Sequence, residues 1–311
     1  MPDQALPPPA LHLPYEDGPH RMVMGLAAIQ EPQWLEWDSR APLQIAERQR
    51  LLREKRSAVL ADTPGSELAC TEMRDVLAAW LAQHRPGWQR PSQPADGHPL
   101  GEIAPWAVED FCLMRPGPEG PVLIAAILCF PSRWRLAEKI GRPMQTIHQF
   151  VPGYGETLGR PVDRFLGALK EGRLATRHNW SIHEDPALYQ PTGHGMTDHD
   201  PSITAENAGE TLWLRVERQT FRLLPESRVI AFGIGTHVTP LAEVVAVPGE
   251  AARLAAAVRA LPAEMERYKS LRPYRRALLD YLDRNTMEAA GEGSHGRGNA
   301  DGVDLGSAGQ S

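Results

Sequence analysis

The sequence predicts an α+β protein built on a mostly antiparallel sheet. Helical patterns come first, strand patterns dominate the middle and helical patterns close the chain, an order of segregated elements. The regular strand–helix alternation of a doubly wound parallel sheet is missing. No GxGxxG follows a strand and no GxxxxGK precedes Ser or Thr, so neither usual nucleotide cradle is present.

The elements follow in order. Residues 1–20 are a Pro-rich lead-in (Pro7, Pro8, Pro9, Pro14, Pro19), expected to run extended over the surface. Residues 42–61, opened by Pro42 and rich in Arg, Glu, Ala and Leu, read as a helix. Residues 66–84 read as a second, with Ser66 able to cap it and Leu68, Met73, Val76, Leu77, Trp80 and Leu81 on its apolar face. A loop rich in Pro and Gly follows, Arg85 to Pro105. Strand patterns then cover 107–115, 121–130, 175–182, 211–217 and 228–238. Helical stretches near 132–141 and 158–171 separate the second strand from the third. The last helical pattern spans 249–284, with breaks near Pro262 and Pro273. Residues 286–311 are rich in Gly, Ser and Asp, cannot offset their ordering entropy and are expected to be disordered. One folded domain over 21–285 results.

Composition narrows the function classes. Of 311 residues, 42% are hydrophobic and 23% charged, as in a soluble globular protein. A net charge of -6 argues against a general nucleic-acid binder. Cys70, Cys112 and Cys129 are too few for a disulfide scaffold, a four-cysteine zinc site or a plant-type iron–sulfur cluster. They suggest a reducing, cytoplasmic compartment. No apolar run reaches the ~20 residues of a membrane span, and no signal peptide is visible.

Several residues could carry chemistry. His178 with His183, and His194 with His199, lack the zinc-protease spacing, and a polar surface loop accounts for the second pair. Along 174–182, Arg177, Asn179 and Ser181 point one way and His178, Trp180 and Ile182 the other. Along 211–217, Leu212, Leu214 and Val216 oppose Trp213, Arg215 and Glu217. A solvated sheet face explains such alternation, although Arg, Glu and Trp are dense for one. Ala231, Gly233 and Gly235 share a face, leaving a groove that a helix or a flat cofactor could approach. His148 sits among Ile147, Phe150 and Val151, a setting for a satisfied core histidine or for a proximal haem ligand.

Seven strings, in this order, carry a resemblance. They are Met24-Gly-Leu26, Trp34-Leu-Glu-Trp-Asp38, Leu128-Cys-Phe-Pro-Ser-Arg-Trp134, Ile147-His148, Val151-Pro-Gly-Tyr154, Arg177-His-Asn-Trp180, and Leu214-Arg-Val-Glu-Arg-Gln-Thr220 with Leu224-Pro225. Together they resemble the haem-dependent oxidative N-demethylase family over about 22–245. That resemblance implies a PAS-like antiparallel sheet with N-terminal and C-terminal helical extensions, holding one b-type haem. It implies oxidative demethylation of a small secondary or methylated amine with O2, releasing formaldehyde. Flavin, a two-iron cluster, folate and NADPH belong to partner subunits in that family, so a separate reductase is expected.

Carried onto this sequence, the resemblance makes His148 the axial iron ligand. Arg177, Asn179 and Trp180 become cofactor-binding residues, with Gly233 and Gly235 beside them on the glycine face. Glu217 and Arg218 become catalytic residues. Arginine suits haem propionates and a carboxylate suits a protonated amine. His178 and His237 are the rival iron ligands. The stretch Gly233-Ile-Gly-Thr-His-Val238 departs from the family pattern, which leaves the amine open. A haem-binding gas or redox sensor without catalysis is the alternative reading.

Overall fold

The computed structural model describes residues 6–16, 18–92, 96–118 and 120–295. Its strands are β1 (Ala27–Ile29), β2 (Leu60–Asp62), β3 (Asp110–Arg115), β4 (Val122–Ile127), β5 (Leu174–His183), β6 (Trp213–Leu223) and β7 (Ile230–Pro240). They form one seven-stranded sheet in the order β1-β5-β6-β7-β3-β4-β2, every pairing antiparallel. The α+β expectation holds. β6 is the spine, paired along its whole length with β7 and from Trp213 to Arg222 with β5. Its turn into β7 is tied down from another layer. The buried carboxylate of Glu72 accepts the backbone N–H groups of Glu226 (2.7 Å) and Ser227 (2.8 Å).

Three layers of side chains cover the sheet. Phe111, Leu113, Ile127 and Ala231 lie under helices Ala41–Glu54, Glu67–His84 and Pro99–Ile103, which contribute Leu51, Met73, Leu77, Leu100 and Ile103. On the same side, Ile182, Leu214 and Val216 meet the closing helices through Leu254, Val258 and Leu278. Cys112, Met114, Phe221 and Ile234 face the other way, toward Leu136, Tyr154, Leu158 and Leu166 of the segment between β4 and β5. All three cysteines are buried and unpaired. No helix among the described residues is long and apolar enough to cross a membrane.

Local differences have local causes. β1 and β2 are three residues each, too short for a period of two to show. The first helix ends at Glu54, and Leu60–Asp62 instead pair with β4. The loop before β3 holds a short helix, Pro99–Ile103, started by proline and capped by His98 Nδ1 accepting from Leu100 N (3.1 Å). The stretch near 132–141 shortens to a 3-10 turn, Leu136–Glu138. The stretch near 158–171 starts as a π turn, Tyr154–Gly159, and continues as a helix to Gly167. Breaks fall after Ala260 and Tyr268, beside Pro262 and Pro273 as expected. The closing helix runs on to His295, past the boundary set at 285; residues 296–311 of the expected tail lie outside the described residues.

The lead-in departs most from expectation, because it is fastened. Tyr15 is buried, and its hydroxyl donates to Glu250 (2.8 Å). Arg253 donates to the carbonyls of Leu13 (2.6 Å) and Tyr15 (2.9 Å). Backbone bonds that a free strap would give to water are met here by the closing helices.

Deepest in the core, Arg48 donates to Asp110 with both side chains fully buried. Asp110 also accepts the backbone N–H groups of Cys129 (2.7 Å) and Phe130 (2.8 Å), and Arg48 Nε donates to Ala104 O (2.8 Å). Removing one partner strands a buried charge. Asp110→Ala is therefore expected to cost roughly 3–5 kcal/mol, read as a lower urea midpoint at unchanged slope. A loss under about 1 kcal/mol would mean the pair is not the joint between the first helix and the sheet.

Candidate functional site

A cavity of about 620 Å³ opens between the sheet and the segment 132–165. Small-molecule and cofactor sites span roughly 300–1,000 Å³. Its sheet wall comes from alternate residues, including Arg177, Asn179, Glu217, Gln219, Phe221, Phe232 and Ile234. Burial follows the same alternation: Glu217 and Gln219 are half-buried while Arg218 and Thr220 between them are buried. The lead-in, from Pro14 to Leu26, and the helix ending at Tyr268 complete the rim.

Facing this wall is His148, just after the short helix Met144–Ile147. Its Nδ1 lies 3.0 Å from Met144 O. A carbonyl only accepts, so Nδ1 carries the proton and Nε2 of the neutral ring keeps its lone pair. Burial pushes its pKa down to about 4; the Met144 carbonyl opposes the shift, and the nearby cations Lys139 and Arg177 add smaller pushes downward. The imidazole stacks on Tyr154 at 4.7 Å and 17°, which fixes its plane. Phe150, a neighbour expected to crowd the ring, is instead exposed.

The cavity carries more positive than negative charge. Arg177 makes no hydrogen bond or ion pair with any described residue, and its Nε is buried. Arg215, on the same face of the sheet, is different: its Nη groups donate to the carbonyls of Phe130, Ala187 and Leu188 at 2.9–3.2 Å, and only its Nε lacks a partner. Lys139 lies over the Trp134 ring at 3.9 Å, and burial pushes it down to about 8. Lys269 is also pushed down to about 8 by burial; it donates to the Trp180 carbonyl and more weakly to Asn179 Oδ1 (3.4 Å), and lies 5.2 Å from the Trp180 ring. Glu217 faces these cations, its Oε2 accepting from Gln219 Nε2 (2.9 Å) and Asn179 Nδ2 (3.4 Å). Half-buried cations without a carboxylate partner, Arg177 above all, are what a bulky dianionic group with an apolar body requires. The donor set therefore fits a haem with one imidazole ligand.

The structure brings together His148, Arg177, Asn179 and Glu217, with Trp180 at the rim against Tyr15 (5.7 Å). It separates Arg218, Gly233 and Gly235 from them. Arg218 points through the opposite face, donating to the carbonyls of Gln33 and Trp34 and lying 3.0 Å from Glu36. A catalytic role beside Glu217 is thereby corrected: consecutive residues of a strand face opposite ways. Gly233 and Gly235 also lie away from the cavity. A Cβ at Gly233 would stand 2.6 Å from Thr220 Oγ1 and 3.5 Å from Phe111. The cofactor reading of that face gives way to close packing. Of the rival ligands, His237 lies on this opposite side, and His178, turned toward His12, still borders the cavity; His12 stands 5.1 Å from the His178 ring and 4.3 Å from that of His237.

Lys139, Lys269, Tyr154 and Gln219 escaped sequence reasoning. Tyr154 and Gln219 left a signal, each standing in one of the family strings, and Gln219 falls two residues after Glu217 on the same strand face. The expected histidine pairs do not meet as sites. His183 is bonded to Ser181 and Gln190, His194 packs on Tyr268 and His199 bonds Pro273 O.

A family model described as haem-dependent oxidative N-demethylase, alpha subunit-like, matches residues 25–279. The match spans both walls of the cavity and most of the closing helices.

Lys269 yields a measurable sign. Its folded pKa is depressed below the ordinary lysine value, so charging it opposes folding. The penalty is complete below about pH 8 and disappears as pH rises through the unfolded value. Lys269→Met should stabilise the cofactor-free protein by roughly 1–2 kcal/mol at pH 7, after discounting for partial exposure. Denaturation midpoints at pH 7 and pH 10.5 should converge between variant and wild type. A gain that grows with pH contradicts the placement.

Proposed function

Because the chain belongs to the haem-dependent oxidative N-demethylase, alpha subunit-like family, we infer that it binds one b-type haem and oxidises a small methylated amine. One observation carries this. A neutral imidazole, His148, tied through Nδ1 to a backbone carbonyl, shares a 620 Å³ cavity with Glu217. A histidine whose other nitrogen is bonded to a carbonyl is the usual form of a metal-ligating imidazole.

His148 would hold the iron through Nε2, with Tyr154 keeping the ring from turning. Arg177 and Lys139 would meet the propionates, the first with a flat fork of donors and the second as a point charge. The sheet supplies the PAS-like scaffold that the family resemblance implies. When bound, the haem supplies the redox chemistry with O2. The protein's part is placement. Glu217, held by Gln219 and Asn179, would receive the ammonium group of the amine and set which N-methyl group lies nearest the haem. Phe221, Phe232 and Ile234 would give that methyl group an apolar, water-poor wall. Amine, O2, two electrons and two protons become demethylated amine, formaldehyde and water, by way of a carbinolamine that breaks its C–N bond.

The electrons would come from a separate reductase. The chain has no dinucleotide fingerprint and only three cysteines, all buried. Flavin, iron–sulfur and NADPH chemistry then belongs to partner subunits. Three free thiols suit a reducing, cytoplasmic compartment.

His148→Ala should retain the fold by circular dichroism and lose the iron–histidine stretch in the resonance Raman spectrum of the ferrous protein; His178→Ala should keep it. An unchanged stretch in His148→Ala moves the ligand to another residue. Glu217→Gln should weaken the spectral shift produced by dimethylamine by about tenfold or more, the loss of one buried charge-assisted bond. With NADPH and a reductase, wild type should release formaldehyde from a methylated amine. Haem binding with neither amine shift nor formaldehyde would favour a gas or redox sensor.

A further inference from the structure

We propose that His12, Glu36 and His237 form a site for one first-row divalent metal ion of the zinc class, separate from the haem cavity. The three come from distant parts of the chain: the lead-in, the segment before the first long helix, and β7. Nε2 of His12 and Nε2 of His237 each lie 3.1 Å from one oxygen, Glu36 Oε2. The three ligand atoms fall within 4.8 Å of one another. With metal–ligand bonds of about 2.0–2.2 Å, tetrahedral neighbours stand about 3.3–3.5 Å apart. An opening of a few tenths of an ångström therefore admits an ion. The two imidazoles meet edge to face at 4.3 Å and 62°, so their nitrogens converge without the rings stacking.

Unmet polar atoms point to the same place. His237 is 6% exposed, yet its Nε2 makes no hydrogen bond, because Glu36 Oε2 lies near it but off the N–H direction. Beside it is a void of about 10 Å³ lined by Glu36, Asp38, Arg40, Glu109 and His237, with His12 just outside it. That is about the room one water-sized particle takes. Glu109 Oε2, on the same void, is buried without a partner as well. Each such atom costs about 1–3 kcal/mol, and a bound ion with its water would meet both.

The surroundings suit a bound cation. Arg218 Nε, 3.0 Å from Glu36 Oε1, turns the carboxylate so that Oε2 faces the histidines. Arg40 Nη2 donates to His237 Nδ1 (2.8 Å), so the ion-free neutral ring carries its proton on Nε2. An ion there must shift that proton to Nδ1 and turn Arg40 back to Asp38, its partner at 2.5 Å. With the ion on Nε2, the neutral ring carries its proton on Nδ1, and Arg40 keeps its hold on Asp38 alone. Two imidazoles and one carboxylate select zinc-class ions over calcium or magnesium, which prefer oxygen sets. The ion would clip the lead-in to the sheet. Residues 14–26 just beyond the clip form the rim of the large cavity, so the site would hold that rim in place.

The test uses the full chain loaded with haem. The protein is treated with a chelator, given zinc, desalted, and its zinc and iron are counted by mass spectrometry. Wild type and the exposed-histidine control His199→Ala should retain about one zinc per chain, and His148→Ala should retain it while losing iron. His12→Ala, Glu36→Gln and His237→Ala should each weaken zinc binding by about tenfold or more. Zinc should also slow proteolysis within residues 6–16 in wild type and not in His12→Ala. His12 and Glu36 lie outside the strands, so their variants keep the test open if His237→Ala fails to fold. Wild type without zinc, meaning a water-filled void, overturns the proposal. So does equal retention by wild type, His12→Ala and Glu36→Gln.

Discussion

A period of two along β5, β6 and β7 is the constraint on which the rest depends. Each strand serves two faces, and the faces have different coverings. Where helices press down, most protruding groups are small, apolar or bonded to a carbonyl. Gly233 under Phe111, Thr220 beside it and Arg218 on the carbonyls of Gln33 and Trp34 obey that rule. Where the irregular segment 132–165 covers the sheet, packing is incomplete and a cavity remains. There Arg177 and Glu217 stand only partly satisfied. A shift of one residue in the register of β6 would exchange the two sets and leave neither a core nor a cavity.

The cavity's chemistry comes from withheld partners. Arg215 and Arg177 sit on the same face, one bonded to three carbonyls and the other to none. The first is a strut; the second is a charge kept available. Lys139 and Lys269 add charge to the same cavity, each held well below the ordinary lysine range by burial, although Lys269 does donate to Trp180 O and Asn179. Such groups oppose folding unless a ligand meets them. Apolar burial on both faces offsets them, and the pair Arg48–Asp110, whose carboxylate also ties two backbone amides after β4, fixes how the first helix meets the sheet. His148 belongs to neither pattern. Its ring is placed by a one-turn helix and a stacked tyrosine rather than by the sheet.

The lead-in links the two faces. Tyr15 and Arg253 seat it on the closing helices, and His12 brings it to Glu36 and His237. From there it crosses to the rim of the cavity. A proline-rich composition made it look like a surface strap, because prolines say how a chain is extended and nothing about what it lies against.

Sequence by itself determined the fold class, the five long strands of the middle, the proline breaks near 262 and 273, and which alternate residues of β5 share a side. These follow from short-range rules: side-chain alternation, proline's missing N–H, and helical period. The family motifs marked His148, Arg177, Asn179 and Glu217, which the fold gathers in one cavity. Alternation cannot say which side is filled by helices. That is why Gly233, Gly235 and Arg218 were placed with the cofactor and the structure moved them away. Only tertiary structure set Lys139 and Lys269 beside Glu217, and His12 beside Glu36 and His237. Residues that far apart in sequence meet because both sheet faces must be covered, and the covering layers come from opposite ends of the chain.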